Sequence, residues 1–165
     1  MTPSALERFK RAQRAPIDGF ESALREIRNG RKQGHWIWYV LPQVRGLGTS
    51  EHSRKFGIAD REEAIAYLRD PELRAHLLEI VQAIAERLTA RSPGSLRDLM
   101  GSEIDAVKTV SSLTLFRAIA GQLVRADASR MYEELARAAD HVLALAKAEG
   151  YPPCERTQQW LEKRH

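Results

Sequence analysis

The chain of 165 residues has a single cysteine, Cys154, so no intrachain disulfide can form. That usage fits a reducing compartment. No apolar run approaches the roughly 20 residues that span a bilayer. The first ten residues, MTPSALERFK, carry charges where a signal peptide needs an apolar stretch. A soluble, cytosolic protein with no membrane partner is the expectation. The histidines at positions 35, 52, 76, 141 and 165 show no His-x-x-x-His spacing, and one cysteine allows no Cys-x-x-Cys, so no metal site is expected. No Gly-x-Ser-x-Gly elbow, Walker sequence or three-glycine dinucleotide fingerprint is present, and no cofactor is expected. Cys154 follows Pro152-Pro153 near the C-terminus, a poor setting for a nucleophile. Internal repeats, linkers and low-complexity stretches are absent too.

What is present describes a globule. Hydrophobic residues make up 43% and charged residues 29%, enough to build one domain over residues 1–165. Apolar residues recur at helical spacing almost throughout. Leu6, Phe9 and Ala12 form one stripe, broken by Pro16 and Gly19. Phe20, Leu24 and Ile27 form another, stopped at Asn29-Gly30. Asp60-Arg-Glu-Glu63 reads as a capping box, and Asp70-Pro71 as a cap followed by proline at the first helical position. Leu73 to Leu88 carries a long stripe closed by Ser92-Pro93-Gly94; Ser102 caps the next segment; Asp127 or Ser129 opens one that Gly150 closes. Thr157 to Lys163 reads as a short last helix, with Trp160 and Leu161 available for docking. Only Trp36–Leu41 has strand-like composition, and a lone strand has no partner, so it is read as a helical turn or an extended buried segment. An all-α globule of about six to eight helices follows, without a significant sheet.

The net charge of +4 is concentrated at one end. Residues 1–35 hold eight Lys/Arg against four Asp/Glu, and the rest of the chain is balanced. A basic end suits an acidic protein or nucleic acid, or it is an ordinary solvated helix face.

Chemistry-bearing residues gather in Arg31–Lys55. Trp36 and Trp38 flank Ile37 beside His35; such rings either wall a site on which a base stacks or anchor the core. Gly46-Leu-Gly48-Thr-Ser50 precedes a helix start, where backbone N–H groups favour an anion, with Arg45 and Arg54 near it; a plain capped turn explains it equally. Glu51 is a candidate general base, or half of a surface pair with Lys55 at i,i+4. A second constellation is a helical stripe of Asp105, Lys108, Thr109, Ser112 and Phe116, with Ser111 beside it. Val107, Val110 and Leu113 cover much of the remaining circumference, so this helix is expected to be buried nearly all round. A buried polar stripe needs partners or a ligand, and an Asp105–Lys108 pair with hydroxyls bonded back to the helix would supply them.

The ordered run Gly30-Arg-Lys32, His35-Trp36-Ile-Trp38, Leu41-Pro-Gln43, Gly46-Leu-Gly48-Thr-Ser50, Glu63-Ala64, Tyr67-Leu-Arg-Asp-Pro71, Asp105-Ala-Val-Lys108 and Ser111-Ser-Leu-Thr-Leu-Phe116 resembles the bacterial family known as domain of unknown function 1810. The resemblance covers about residues 5–145, with a C-terminal helix over 155–164 docking onto that core. It implies an all-helical fold and no particular activity. Ser50-Glu51-His52, Glu63-Ala64, Leu73–Leu78 and Asp105 are similar in order to the NADAR group, which is associated with ADP-ribose and N-glycosidic bond hydrolysis. That resemblance implies Glu51 as catalytic residue, with Asp105 as the later acid. Where NADAR proteins have a Trp-Gly and Asn-rich stretch, this chain has Lys108-Thr-Val-Ser-Ser.

Two functions remain open from the sequence. In the first, Trp36 or Trp38 stacks a ring of an ADP-ribose-like ligand, or of a substrate of N-glycosidic hydrolysis. Lys32, His35, Gln43, Arg45, Gly46, Gly48, Ser50, Arg54, Lys108, Ser111 and Ser112 hold it, and Glu51 and Asp105 assist cleavage. In the second, the protein is a non-enzymatic helical binding module for an acidic protein or nucleic acid. Whether Lys32, His35, Trp38, Glu51, Asp105 and Lys108 converge on one pocket separates the two.

Overall fold

A computed structural model describes residues 3–92 and 94–163. Pro93 therefore lies outside the described residues. The helix boundaries fall at the sequence's own punctuation. Helices α1 (Pro3–Gln13) and α2 (Phe20–Arg28) are separated at Pro16 and Gly19. Helix α5 (Arg61–Arg69) is capped by Asp60, which accepts the Glu63 N–H at 2.8 Å. The return half of that box differs from expectation: Glu63 Oε1 takes the Ala59 N–H at 3.2 Å and pairs with Arg8 at 2.6 Å. Helix α6 (Pro71–Leu88) starts on Asp70, which accepts the N–H groups of Glu72 and Leu73. Helix α8 (Glu103–Asp127) is capped by Ser102, and α9 (Arg130–Glu149) ends on Gly150 at φ +108°.

Ten helices are described rather than six to eight. The additional ones are short: α3 (Ile37–Val40), α4 (Glu51–Phe56) and α7 (Leu96–Met100). One turn or little more shows no hydrophobic period, so α7 leaves no mark in the spacing, while α3 and α4 fall where a helical turn and a capped helix start are read. Trp36–Leu41 is thus a helical turn, and Val44 and Ile58 form an isolated parallel bridge, not a sheet.

The long helix α8 is the axis of the molecule. It packs against α9, α5, α7, α3 and the terminal α10 (Glu155–Glu162), while α6 packs against α9, α2, α5 and α1. Phe9, Phe20, Trp36, Tyr67, Leu77, Ile84, Leu113 and Phe116 belong to one continuous buried cluster. One polar network runs through it. Gln13 donates to the Tyr39 carbonyl at 2.7 Å and the Tyr67 hydroxyl at 3.0 Å, and its Oε1 accepts from His76 Nδ1 at 2.7 Å. His76 stacks on Phe20 at 3.9 Å, and burial pushes its pKa down against the pull of Glu72, Glu79 and Glu21. Every partner in this network is satisfied, as burial requires.

The basic surplus of the N-terminal region is largely answered by later carboxylates. Arg8 pairs with Glu63, Lys10 with Asp70, Arg14 with Glu72, Arg28 with Glu79 and Lys32 with Asp105. These pairs tie α1 and α2 to the rest of the fold instead of leaving a cationic face.

One expectation about α8 is corrected. Its circumference is not fully buried: Ile104 is 67% exposed and Val107 49%. The core-facing residues of α8 begin at Ala106, Thr109 and Val110, and α10 packs along the helix without covering its first turns on the other side.

Candidate functional site

The segment before α3 is held by local polar contacts. Glu26 accepts the Gln33 and Gly34 N–H groups at 2.7 Å each and Trp36 Nε1 at 3.0 Å. Burial raises the Glu26 pKa, but these hydrogen bonds and the nearby Lys32 charge outweigh it, and the carboxyl lies below its usual range. The Tyr39 hydroxyl donates to the carbonyls of Asp18 and His35. Burial and the Asp18 charge push its pKa up to about 12, so it stays a donor at neutral pH. The tryptophans consequently part ways. Trp36 is fully buried and belongs to the core, so it has no face to offer a ligand. Trp38 is only partly buried and packs on the core's edge.

Gln43 and the glycine turn are positioned by the bridge between Val44 and Ile58. Ile58 N–H donates to the Gln43 carbonyl and Arg45 N–H to that of Ile58, both at 2.9 Å. Gly46 sits at φ +100°, in the left-handed region. Gly48 lies so close to α4 that a Cβ would meet Ser53 Oγ at 2.4 Å. Ser50 Oγ accepts the Ser53 N–H at 3.1 Å, so it serves as the cap of α4.

Two cation–ring couples then form beside the first turns of α8, which supply Asp105 to one and Lys108 to the other. Lys32 Nζ lies 2.9 Å from Asp105 Oδ2, 2.6 Å from the Gly34 carbonyl and 5.3 Å from the Trp36 ring centre. This ammonium is buried and has both a carboxylate and a carbonyl acceptor. Lys108 Nζ lies 4.9 Å from the Trp38 ring centre, and His52 packs on the same indole at 4.7 Å. Among the described residues Lys108 has no carboxylate partner. The Asp105–Lys108 pair expected from spacing is therefore not formed; Asp105 turns to Lys32 instead.

Lys108 and Gln43 line two adjoining cavities. The inner one is a slot of about 10 Å³ between Ile37, Trp38, Leu41, His52, Ser53, Phe56 and Gly57. That is the room of a single water molecule or one ligand atom. Trp38 Nε1 is buried and meets no acceptor among the described residues. The outer cavity is a groove of about 470 Å³ over Leu47, Gly48, Ile104, Val107, Ser111, Cys154 and Arg156, with Glu103 at its rim. Its volume lies within the range of small-molecule sites.

The structure thus brings together Trp38, Gln43, Gly48, Lys108 and Ser111 of the sequence candidates. The others lie elsewhere. Glu51, Arg45, Arg54 and His35 are exposed and line neither the slot nor the groove. Gly46 reaches the groove only through its carbonyl, which accepts from Arg156 at 3.2 Å. Lys32 and Asp105 are joined to each other. Ser112 is fully buried on α8, and its hydroxyl has no partner among the described residues. Arg156, Leu47, Ile104 and Val107 were not foreseen as site residues. Arg156 follows two prolines on a short terminal helix, where no local pattern marks it. No group of three or more His, Cys, Asp and Glu side chains suited to a metal occurs among the described residues.

Fold and cleft together define an all-helical protein with an aromatic and cationic cleft between its longest helix, a glycine turn and its last helix. The chain belongs to the family described as protein of unknown function (DUF1810), whose model matches residues 3–140. A solved structure, that of the conserved hypothetical protein Rv1873 from Mycobacterium tuberculosis, is similar to it at 33% identity. The match covers 96% of each chain with a TM-score of 0.69. No curated protein matches the chain. Arg156 and the rest of α10 lie beyond the family match.

Proposed function

We propose that this protein binds a small nucleotide-type anion of the ADP-ribose class in the Trp38–Lys108 cleft. The observation that carries the reading is the Lys108 ammonium. It stands over Trp38 without a carboxylate partner, at the junction of a slot and a ligand-sized groove. A partly desolvated cation without a counterion favours an anionic ligand. The Gln43 amide adds a polar contact, and Leu47, Ile104 and Val107 add apolar surface for the rest of the ligand.

Binding is favoured over glycosidic hydrolysis because the two candidate carboxylates share no cavity. Glu51 is exposed on α4, and Asp105 is held by Lys32. Binding is also favoured over nucleic-acid recognition, because five of the eight N-terminal basic residues are paired with carboxylates. A cytosolic location fits such a ligand; among the described residues no helix is long and apolar enough to cross a membrane.

A thermal-shift panel tests the reading. ADP-ribose at ~100 times its dissociation constant should stabilise the fold by about 2.7 kcal/mol. Neutral adenosine should give a much smaller shift, and Trp38→Phe should weaken the effect. No shift with any adenine nucleotide or NAD-derived ligand contradicts it.

A further inference from the structure

Two cations line the outer groove, Lys108 from α8 and Arg156 from α10. Arg156 Nη2 donates to the Gly46 carbonyl at 3.2 Å. A guanidinium has five N–H donors, so this contact orients the group and leaves the others available. Among the described residues Arg156, like Lys108, has no carboxylate partner.

The position of Arg156 is set by the docking of α10, not by chance on the surface. Ser111 and the fully buried Thr157 share a hydrogen bond of 3.1 Å, and the Cys154 N–H donates to Thr114 Oγ1 at 3.1 Å. At the other end of α10, Arg61 donates to the Leu161 carbonyl and, at 2.8 Å, to Gln122. The floor between the two cations is apolar, formed by the exposed side chains of Ile104 and Val107. Leu47 and Gly48 line the groove as well.

We propose that Arg156 is the second anion-holding residue of this cleft and makes it select organic diphosphates over the corresponding monophosphates. The inference rests on the reading of the cleft as a nucleotide-type site. A monophosphate offers one phosphoryl group to the two cations, whereas a diphosphate offers two linked groups, one for each. Arg156 is exposed in the free protein, and a ligand seated between it and Lys108 shields both cations; a charge-assisted contact so shielded adds roughly a factor of ten. Glu103 is the acid that lines the same groove, and its charge opposes a bound anion in proportion to that anion's charge, so a diphosphate more than a monophosphate.

The test is calorimetric titration of AMP, ADP and ADP-ribose into the wild-type chain and four variants. Wild type should bind ADP and ADP-ribose about tenfold tighter than AMP. Arg156→Gln should bring the ADP to AMP ratio close to one while leaving AMP affinity little changed, and Arg156→Lys should restore part of it. Glu103→Gln should tighten ADP severalfold, more than AMP. Arg137→Gln, on an exposed pair within α9, should change nothing. A wild type that binds AMP and ADP equally overturns the selectivity. Binding with an unchanged ratio in Arg156→Gln and Arg156→Lys overturns the role of Arg156 and leaves the Lys108 cleft standing. A wild type that binds none of the three removes the cleft reading and this inference with it.

Discussion

At the scale of single residues, the division of labour rests on what each charge meets. In sequence Lys32 lies four residues before Trp36 and Lys108 three residues after Asp105. In the structure Lys32 has a carboxylate partner and Lys108 has none among the described residues. The Lys32 side chain is 7% exposed and that of Asp105 18%, and their contact is 2.9 Å. Removing one charge of a buried pair strands the other in a poorly solvated place. Asp105→Asn should therefore cost about 3 kcal/mol, read as a lower thermal midpoint and lower urea midpoint, while ligand affinity of the folded fraction stays within about twofold. A selective loss of ligand turnover with unchanged stability would make Asp105 a catalytic group instead of a structural one. The two tryptophans carry the same lesson. Sequence composition marked both, but only the hydrogen bond from Trp36 to Glu26 and its complete burial show which one belongs to the core.

At the scale of elements, the helices were legible wherever a cap and an apolar period coincide. Asp60, Asp70 and Ser102 begin their helices as their side chains dictate. The glycine turn was legible as a turn, and of its two readings, anion site or capped turn, the structure shows the Ser50 cap. Ser50 is used by α4, a helix of six residues, and the turn contributes Gly48 and the Gly46 carbonyl to the groove wall. Back-bonding of the α8 hydroxyls to their own helix is the local reading, and what no local pattern shows is a partner on another element. Thr109 and Thr114 bond back to the carbonyls of Asp105 and Val110, whereas Ser111 reaches across to Thr157 on α10. That last contact fixes α10, and α10 carries Arg156. Thr157→Val keeps the shape and leaves the buried Ser111 hydroxyl unpaired, at a cost of about 1–3 kcal/mol. Hydrogen exchange should then speed up across residues 155–162 more than in α9. Uniform exchange throughout the chain would mean that α10 docks by its apolar contacts alone.

At the scale of the whole molecule, the site exists because three remote parts of the chain meet: the turn at 43–48, the first turns of α8 and the start of α10. Patterning predicts that α8 is covered, since Ile104 and Val107 are apolar. Tertiary packing leaves them open, and the open apolar floor is what makes a groove beside Lys108. The fold was thus readable from spacing and caps, while the site depends on which faces the packing leaves uncovered and which charges it leaves unpaired. The central claim is that the unpaired Lys108 anchors an anionic nucleotide-type ligand. Calorimetric titration of ADP-ribose into wild type and Lys108→Gln tests it most directly. Wild type should bind at one site, and Lys108→Gln, folded to the same thermal midpoint, should bind at least tenfold more weakly. Equal affinities in the two proteins, or no binding by wild type, would contradict the claim.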